Sequence, residues 1–156
     1  MTSSNLINAS GKILINKNID NVFAFFANPT NDHLWRTEIN ESKLDGTLQS
    51  GVTVSEYSYL SKRASNNLLE MKCVQFDKNS IAIFETSNNA KFYLKSQRVA
   101  KAVSGDATEL TYRLDFDKSI VKFALGFSLP KFIISLKAGS DMKKYLRQLK
   151  DHLESA

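Results

Sequence analysis

Between residues 40 and 117 the chain is cut by turn signals at Asp45-Gly46, Ser50-Gly51, Ser65-Asn66-Asn67, Lys78-Asn79, Asn88-Asn89 and Ser104-Gly105, and the segments between them are short and rich in β-branched and aromatic residues. This spacing predicts about six strands. Parallel neighbours need crossovers of a dozen or more residues, so connections this short dictate an antiparallel meander. In "TELTYRLDFD", Leu110, Tyr112, Leu114 and Phe116 alternate with Thr111, Arg113 and Asp115, which gives the sheet one dry face and one wet face. A dry face needs a cover.

The sequence supplies one long candidate cover, residues 119 to about 154. In its second half Met142, Tyr145, Leu146, Leu149 and Leu153 fall on one helical stripe, with Lys143, Lys144, Arg147 and Lys150 off it. Its first half, "VKFALGFSLPKFIISLKAG", is more apolar than one helix face requires. A membrane, the protein's own core or a bound apolar molecule would each account for the excess. Lys122, Lys131, Lys137 and Pro130 interrupt the stretch, which argues against a membrane span. Gly126 and Pro130 predict either a separate turn of helix or a kinked extension.

Ahead of the meander, "LINASGKILI" suits a strand, and Asn18 is an N-cap for a short helix burying Val22, Phe23 and Phe26. Asn28 before Pro29 starts a second short helix carrying Leu34 and Trp35. Within the meander, "LLEMKCVQFD" places Leu69, Met71, Cys73 and Gln75 on the inward face. In "VTVSEYSYL" the apolar phase changes from Val52 and Val54 to Tyr57 and Tyr59, which predicts a bulge near Ser55 or Glu56. At 156 residues, with 42% hydrophobic and 24% charged residues, the chain is expected to form one α+β domain with its own core. Cys73 is the only cysteine and "MTSSNLINASGK" lacks the pattern of a secretory signal, so a cytoplasmic setting is expected.

The order strand, two short helices, six antiparallel strands and one long C-terminal helix resembles the helix-grip fold of the START-like or SRPBCC superfamily, and specifically its polyketide cyclase/dehydrase and lipid-transport group. The residues that carry the resemblance are "NIDNVFAFFANPTNDHLW", with Val22-Phe23, Asn28-Pro29-Thr30 and Trp35 at the landmarks, then Gly51, "GDATELTYRL" and "MKKYLRQLKDHLE". Asn18 stands where the family often has proline and Asn28 where it often has aspartate; both still cap helices. The resemblance implies a curved sheet of about seven strands gripping the C-terminal helix, with a hydrophobic cavity between them for a lipid, polyketide or similar molecule. Phe123, Phe127, Phe132 and Ile133 would then line or gate that cavity. The alternative is that they pack in the core or against a second subunit.

The inward parity adds Tyr112, Leu114, Phe116, Met71 and Cys73 to the candidate lining, and the aromatic residues Tyr57, Tyr59 and Trp35 join them near the start of the sheet. Each has a plainer reading. Met71 and Cys73 suit core filling, the tyrosines can bridge core and water, and Trp35 can cap the core as well as stand at a cavity mouth. His33, His152 and Cys73 have no second ligand at a useful spacing, and the glycines form no nucleotide loop, so no metal or cofactor is expected. No residue is assigned a catalytic role. An enzyme reading, a cofactor-free cyclase or dehydratase, would draw on Glu56, Tyr57, Tyr59, Glu85, Tyr93, Arg98, Tyr112 and Arg113, if burial tunes them for proton transfer. A third reading is a protein-interaction module of the same fold whose apolar helix segment meets a partner. The net charge of +5 lies largely on the solvated face of the last helix, without the interleaved aromatics of a nucleic-acid surface. An anionic membrane surface, met transiently, is the more coherent partner for basic residues beside an apolar gate.

Overall fold

The computed structural model describes residues 5–155, so the first four residues of the stretch read for a secretory signal lie outside it. Strand β1 (Leu6–Ile15) is followed by helix α1 (Ile19–Phe26) and a 3-10 helix (Pro29–Leu34). Six strands follow: β2 (Ile39–Leu44), β3 (Thr53–Ser58), β4 (Asn67–Asp77), β5 (Ile81–Thr86), β6 (Leu94–Ser104) and β7 (Ala107–Asp117). Helices α2 (Ser119–Leu125) and α3 (Lys131–Glu154) close the chain. The sheet runs β1-β7-β6-β5-β4-β3-β2 with every neighbouring pair antiparallel. It curls around α3 in the helix-grip arrangement.

The helix starts are set locally. The Asn18 carboxamide oxygen accepts from the Asp20 amide at 2.8 Å, and that of Asn28 accepts from the Thr30 amide at 3.1 Å with Pro29 next in line. Caps of this kind stabilise a helix by roughly 1 kcal/mol each. The apolar segment after β7 is broken rather than kinked. Gly126 ends α2 at φ 85°, its amide donating to the Lys122 carbonyl at 2.7 Å, and α3 begins after Pro130. The positive φ is what requires glycine there; the Arg63 guanidinium lies in the space that a Cβ would need, but as the end of a flexible, exposed side chain it could move aside. Among the described residues no helix is long and apolar enough to cross a membrane.

Two register expectations need correction. Strand β3 pairs with β4 without a slip from Thr53↔Lys72 to Ser58↔Asn67, so there is no bulge at Ser55 or Glu56. Val54, Glu56 and Ser58 therefore share the inner face, and Tyr57 points outward. The irregularity lies instead in β4 between Cys73 and Gln75. It turns Gln75 out to donate to Asp77 at 2.9 Å and brings Phe76 in against Phe23, ring centroids 5.7 Å apart.

Helix α3 meets the sheet unevenly. At Gly11 in β1 an added Cβ would stand 2.8 Å from Leu146 Cδ1 and 3.2 Å from Met142 Cγ, so the missing side chain lets the C-terminal half of α3 sit close on the strand. The buried stripe Met142, Leu146 and Leu149 joins the core there. The N-terminal half of α3 stands off the sheet.

Candidate functional site

The gap between the sheet and the N-terminal half of α3 is a cavity of about 690 Å³, within the range of small-molecule sites. Its sheet wall is built by inward parity: Ala9 from β1, Leu69 from β4, Leu94 from β6, and Leu114 and Phe116 from β7. Ile120 and Ala124 of α2 and Ile134, Ala138 and Met142 of α3 form the opposite wall. The exposed side chains Tyr59, Leu125, Ile133 and Lys137 mark the mouth.

One region of the lining is charged and buried. The same parity that places Leu94 and Tyr112 inside also places Arg98 inside, where it is 1% exposed. Its guanidinium donates to Asp32 at 2.7 and 2.6 Å, to the Phe26 carbonyl at 2.9 Å and to Ser96 at 3.2 Å. Asp32 also accepts from Arg36 at 3.2 Å, and Arg36 reaches Glu56 at 3.2 Å and Glu38 at 2.8 Å. Three carboxylates thus share two guanidiniums. Arg36, Glu38 and Glu56 face the cavity; Asp32 and Arg98 lie behind them.

Burial pushes the Glu56 carboxyl above its ordinary value against the opposing pull of Arg36. Burial likewise raises the Tyr112 phenol, against Arg36 and Arg98. Tyr145 is raised by burial and by the neighbouring Glu38 carboxylate. Among the described residues, the Tyr112 hydroxyl and the Asn67 amide nitrogen are buried without a hydrogen-bond partner, and both residues line the cavity. The site can therefore exchange hydrogen bonds with one polar group on an otherwise apolar molecule.

These shifts fix a pH dependence. Because the folded Glu56 binds its proton more tightly than the unfolded chain does, its contribution to stability falls as pH rises from 4.5 through the folded value. Glu56→Gln is expected to flatten that part of the stability profile, measured by urea unfolding at a series of pH values. An unchanged slope in the variant would mean that Glu56 does not titrate in this way.

Of the residues expected to line a cavity, Tyr59, Tyr112, Leu114, Phe116 and Ile133 do so. Trp35 does not stand at a mouth; it is buried behind Tyr112, ring centroids 5.2 Å apart. Met71 and Cys73 are core residues outside the lining. Tyr57 lies on the outer face with the Lys43 ammonium 5.9 Å from its ring centroid. Phe123 packs on Phe92 at 5.2 Å, while Phe127 and Phe132 project into solvent. The Glu85–Tyr93 pair at 2.6 Å and the Arg113–Asp115 pair at 3.2 Å are also away from the cavity.

Asp32, Arg36, Glu38, Asn67 and Tyr145 went unread as site residues. In "DHLWRTE" three charges flank a tryptophan in a short helical segment, which looks like a solvated face. The available signal was Arg98, in phase with Leu94 and Ala100 on its strand: an inward arginine demands buried acids.

No family model matches the chain, and no curated protein is similar to it. Solved structures are. A START superfamily protein from Mycobacterium smegmatis superposes with a TM-score of 0.73 at 11% identity, over 95% of this chain and 97% of that one. An aromatase/cyclase from Streptomyces sp. R1128 gives 0.66 at 11% identity, over 93% and 94%. A conserved protein from Geobacillus kaustophilus gives 0.67 at 10% identity, over 96% of each. At such identities the likeness is one of fold.

Proposed function

We propose that this chain, which has the START-like helix-grip fold, binds a small hydrophobic molecule bearing one polar group, with its apolar body between the sheet and α3 and its polar group at Arg36, Glu56 and Tyr112. The observation that carries this reading is the 690 Å³ cavity itself, with apolar side chains on both walls and a charged cluster at the buried Arg36 and Glu56 and the half-buried Glu38. A packed core holds few voids larger than a water molecule. A cavity of this size is better matched to cargo than to structure.

Native mass spectrometry of gently purified protein tests the proposal. A one-to-one adduct is expected, with an apolar molecule recovered on extraction. A protein that carries no adduct and also fails to bind a fluorescent apolar probe such as N-phenyl-1-naphthylamine would exclude it.

A second reading, cofactor-free proton transfer on the bound molecule, is favoured by one observation. Glu56 and Tyr112 line the same cavity, and burial raises the pKa of both. A buried carboxyl that keeps its proton to higher pH than an exposed one can act as acid or base. Comparing the mass and chromatographic retention of ligand added and ligand recovered separates the two readings: an unchanged molecule supports carriage, loss of water supports a dehydrating enzyme, and unchanged mass with altered retention supports a cyclising one.

A further inference from the structure

We infer that the corner between α2 and α3 docks on an anionic lipid bilayer. Leu125, Phe127, Phe132, Ile133 and Leu136 are exposed at 38, 57, 67, 40 and 71%. The described residues include eleven exposed large hydrophobic side chains; these five cluster within twelve consecutive positions, and Leu125 and Ile133 meet at the same cavity. Phe132 and Leu136 are one turn apart on α3, on the face opposite the buried Ile134.

Charge selects the occupant. From Lys118 to Ser140 the sequence holds Lys118, Lys122, Lys131 and Lys137 and no acidic residue. Arg63 lies against Gly126 in the middle of this segment. The nearest acid along α3, Asp141, is engaged by Lys137 at 2.7 Å. A second copy of the chain, docked through the same face, would set lysines against lysines. An anionic bilayer meets both requirements, since phenylalanine and leucine enter the acyl boundary while lysine stems extend to the headgroups. Insertion is shallow, because no described helix can span.

The patch adjoins the cavity. Leu125, Ile133 and Lys137 belong to the mouth as well as to the corner, so docking sets the opening against the lipid surface. Docking stands independently of what the cavity holds; passage of a ligand between bilayer and cavity rests on the carriage reading.

Vesicle flotation tests this with phosphatidylcholine alone and with phosphatidylcholine containing phosphatidylglycerol, at low and high salt. The protein is expected to float with the anionic vesicles at low salt and to be released at high salt. Phe132→Ser with Leu136→Ser is expected to weaken flotation by tenfold or more, and Lys122→Gln and Lys131→Gln by about fivefold each. None of these four side chains lines the cavity, so each variant is expected to bind the naphthylamine probe as the unaltered protein does. Equal flotation of the variants, equal binding to neutral vesicles, or no flotation at all would overturn the inference. A dimer in sedimentation velocity that the Phe132/Leu136 variant dissolves would assign the face to a second copy instead. Flotation without probe binding would remove the cavity reading and leave docking in place.

Discussion

Asp32→Ala is expected to lower the unfolding free energy by about 3–5 kcal/mol, because it strands buried charge rather than merely removing a hydrogen bond. Asp32 is fully buried and takes Arg98 at 2.7 and 2.6 Å and Arg36 at 3.2 Å. Without it Arg98 keeps only the Phe26 carbonyl and Ser96, both neutral. Domain stabilities are about 5–15 kcal/mol, so the loss would consume much of the margin. The double replacement Asp32→Leu with Arg98→Met removes both charges and is expected to be milder than Asp32→Ala alone. Urea unfolding of the three proteins decides the matter. A loss below about 1 kcal/mol for Asp32→Ala would mean that the pair behaves like an exposed one and does not hold the cavity floor.

Ala138→Trp is expected to weaken binding of an apolar probe by tenfold or more, which is about 1.4 kcal/mol, while leaving the unfolding midpoint unchanged or higher. Ala138 is half-buried on α3 and lines the cavity, so a larger side chain there takes space from the ligand. In a packed core the same change would force strain of about 1–3 kcal/mol. The two readouts together therefore separate a cavity from a core. Lost binding with retained stability supports an open site, and lost stability would show that the helix cannot accommodate the ring.

The meander, the capped short helices and the stripe on the last helix were all legible, because each rests on local periodicity or on a residue with a strong cap or turn preference. Gly126 and Pro130 were visible as interruptions, and the structure resolves them into a full break. The position of the β4 irregularity was not legible. A bulge is decided by which neighbours fill the sheet, and "VTVSEYSYL" imitated one because buried Glu56 and Ser58 broke the apolar alternation. The polar floor was hidden for the same reason. Asp32 and Arg36 look like surface residues until Arg98, some sixty positions later, is brought beside them. Phe127 and Phe132 mark the opposite limit, since apolar composition alone does not say whether a side chain faces a cavity or solvent.

Strand β1 has one partner in the sheet, and that partner is β7: Leu6 pairs with Asp117 and Ile15 with Thr108. The strands from β2 to β7 can zip up as successive hairpins while the polypeptide is being made, since from β3 onward each pairs with its predecessor. The first strand cannot. At translation rates of about 5–20 residues per second it waits on the order of ten seconds for its mate to emerge. Its two fully buried isoleucines, Ile7 and Ile15, remain uncovered during that interval, and α3, which covers the strand at Gly11, arrives later still. Slowing synthesis before residue 108 therefore prolongs the time for which these side chains stand uncovered.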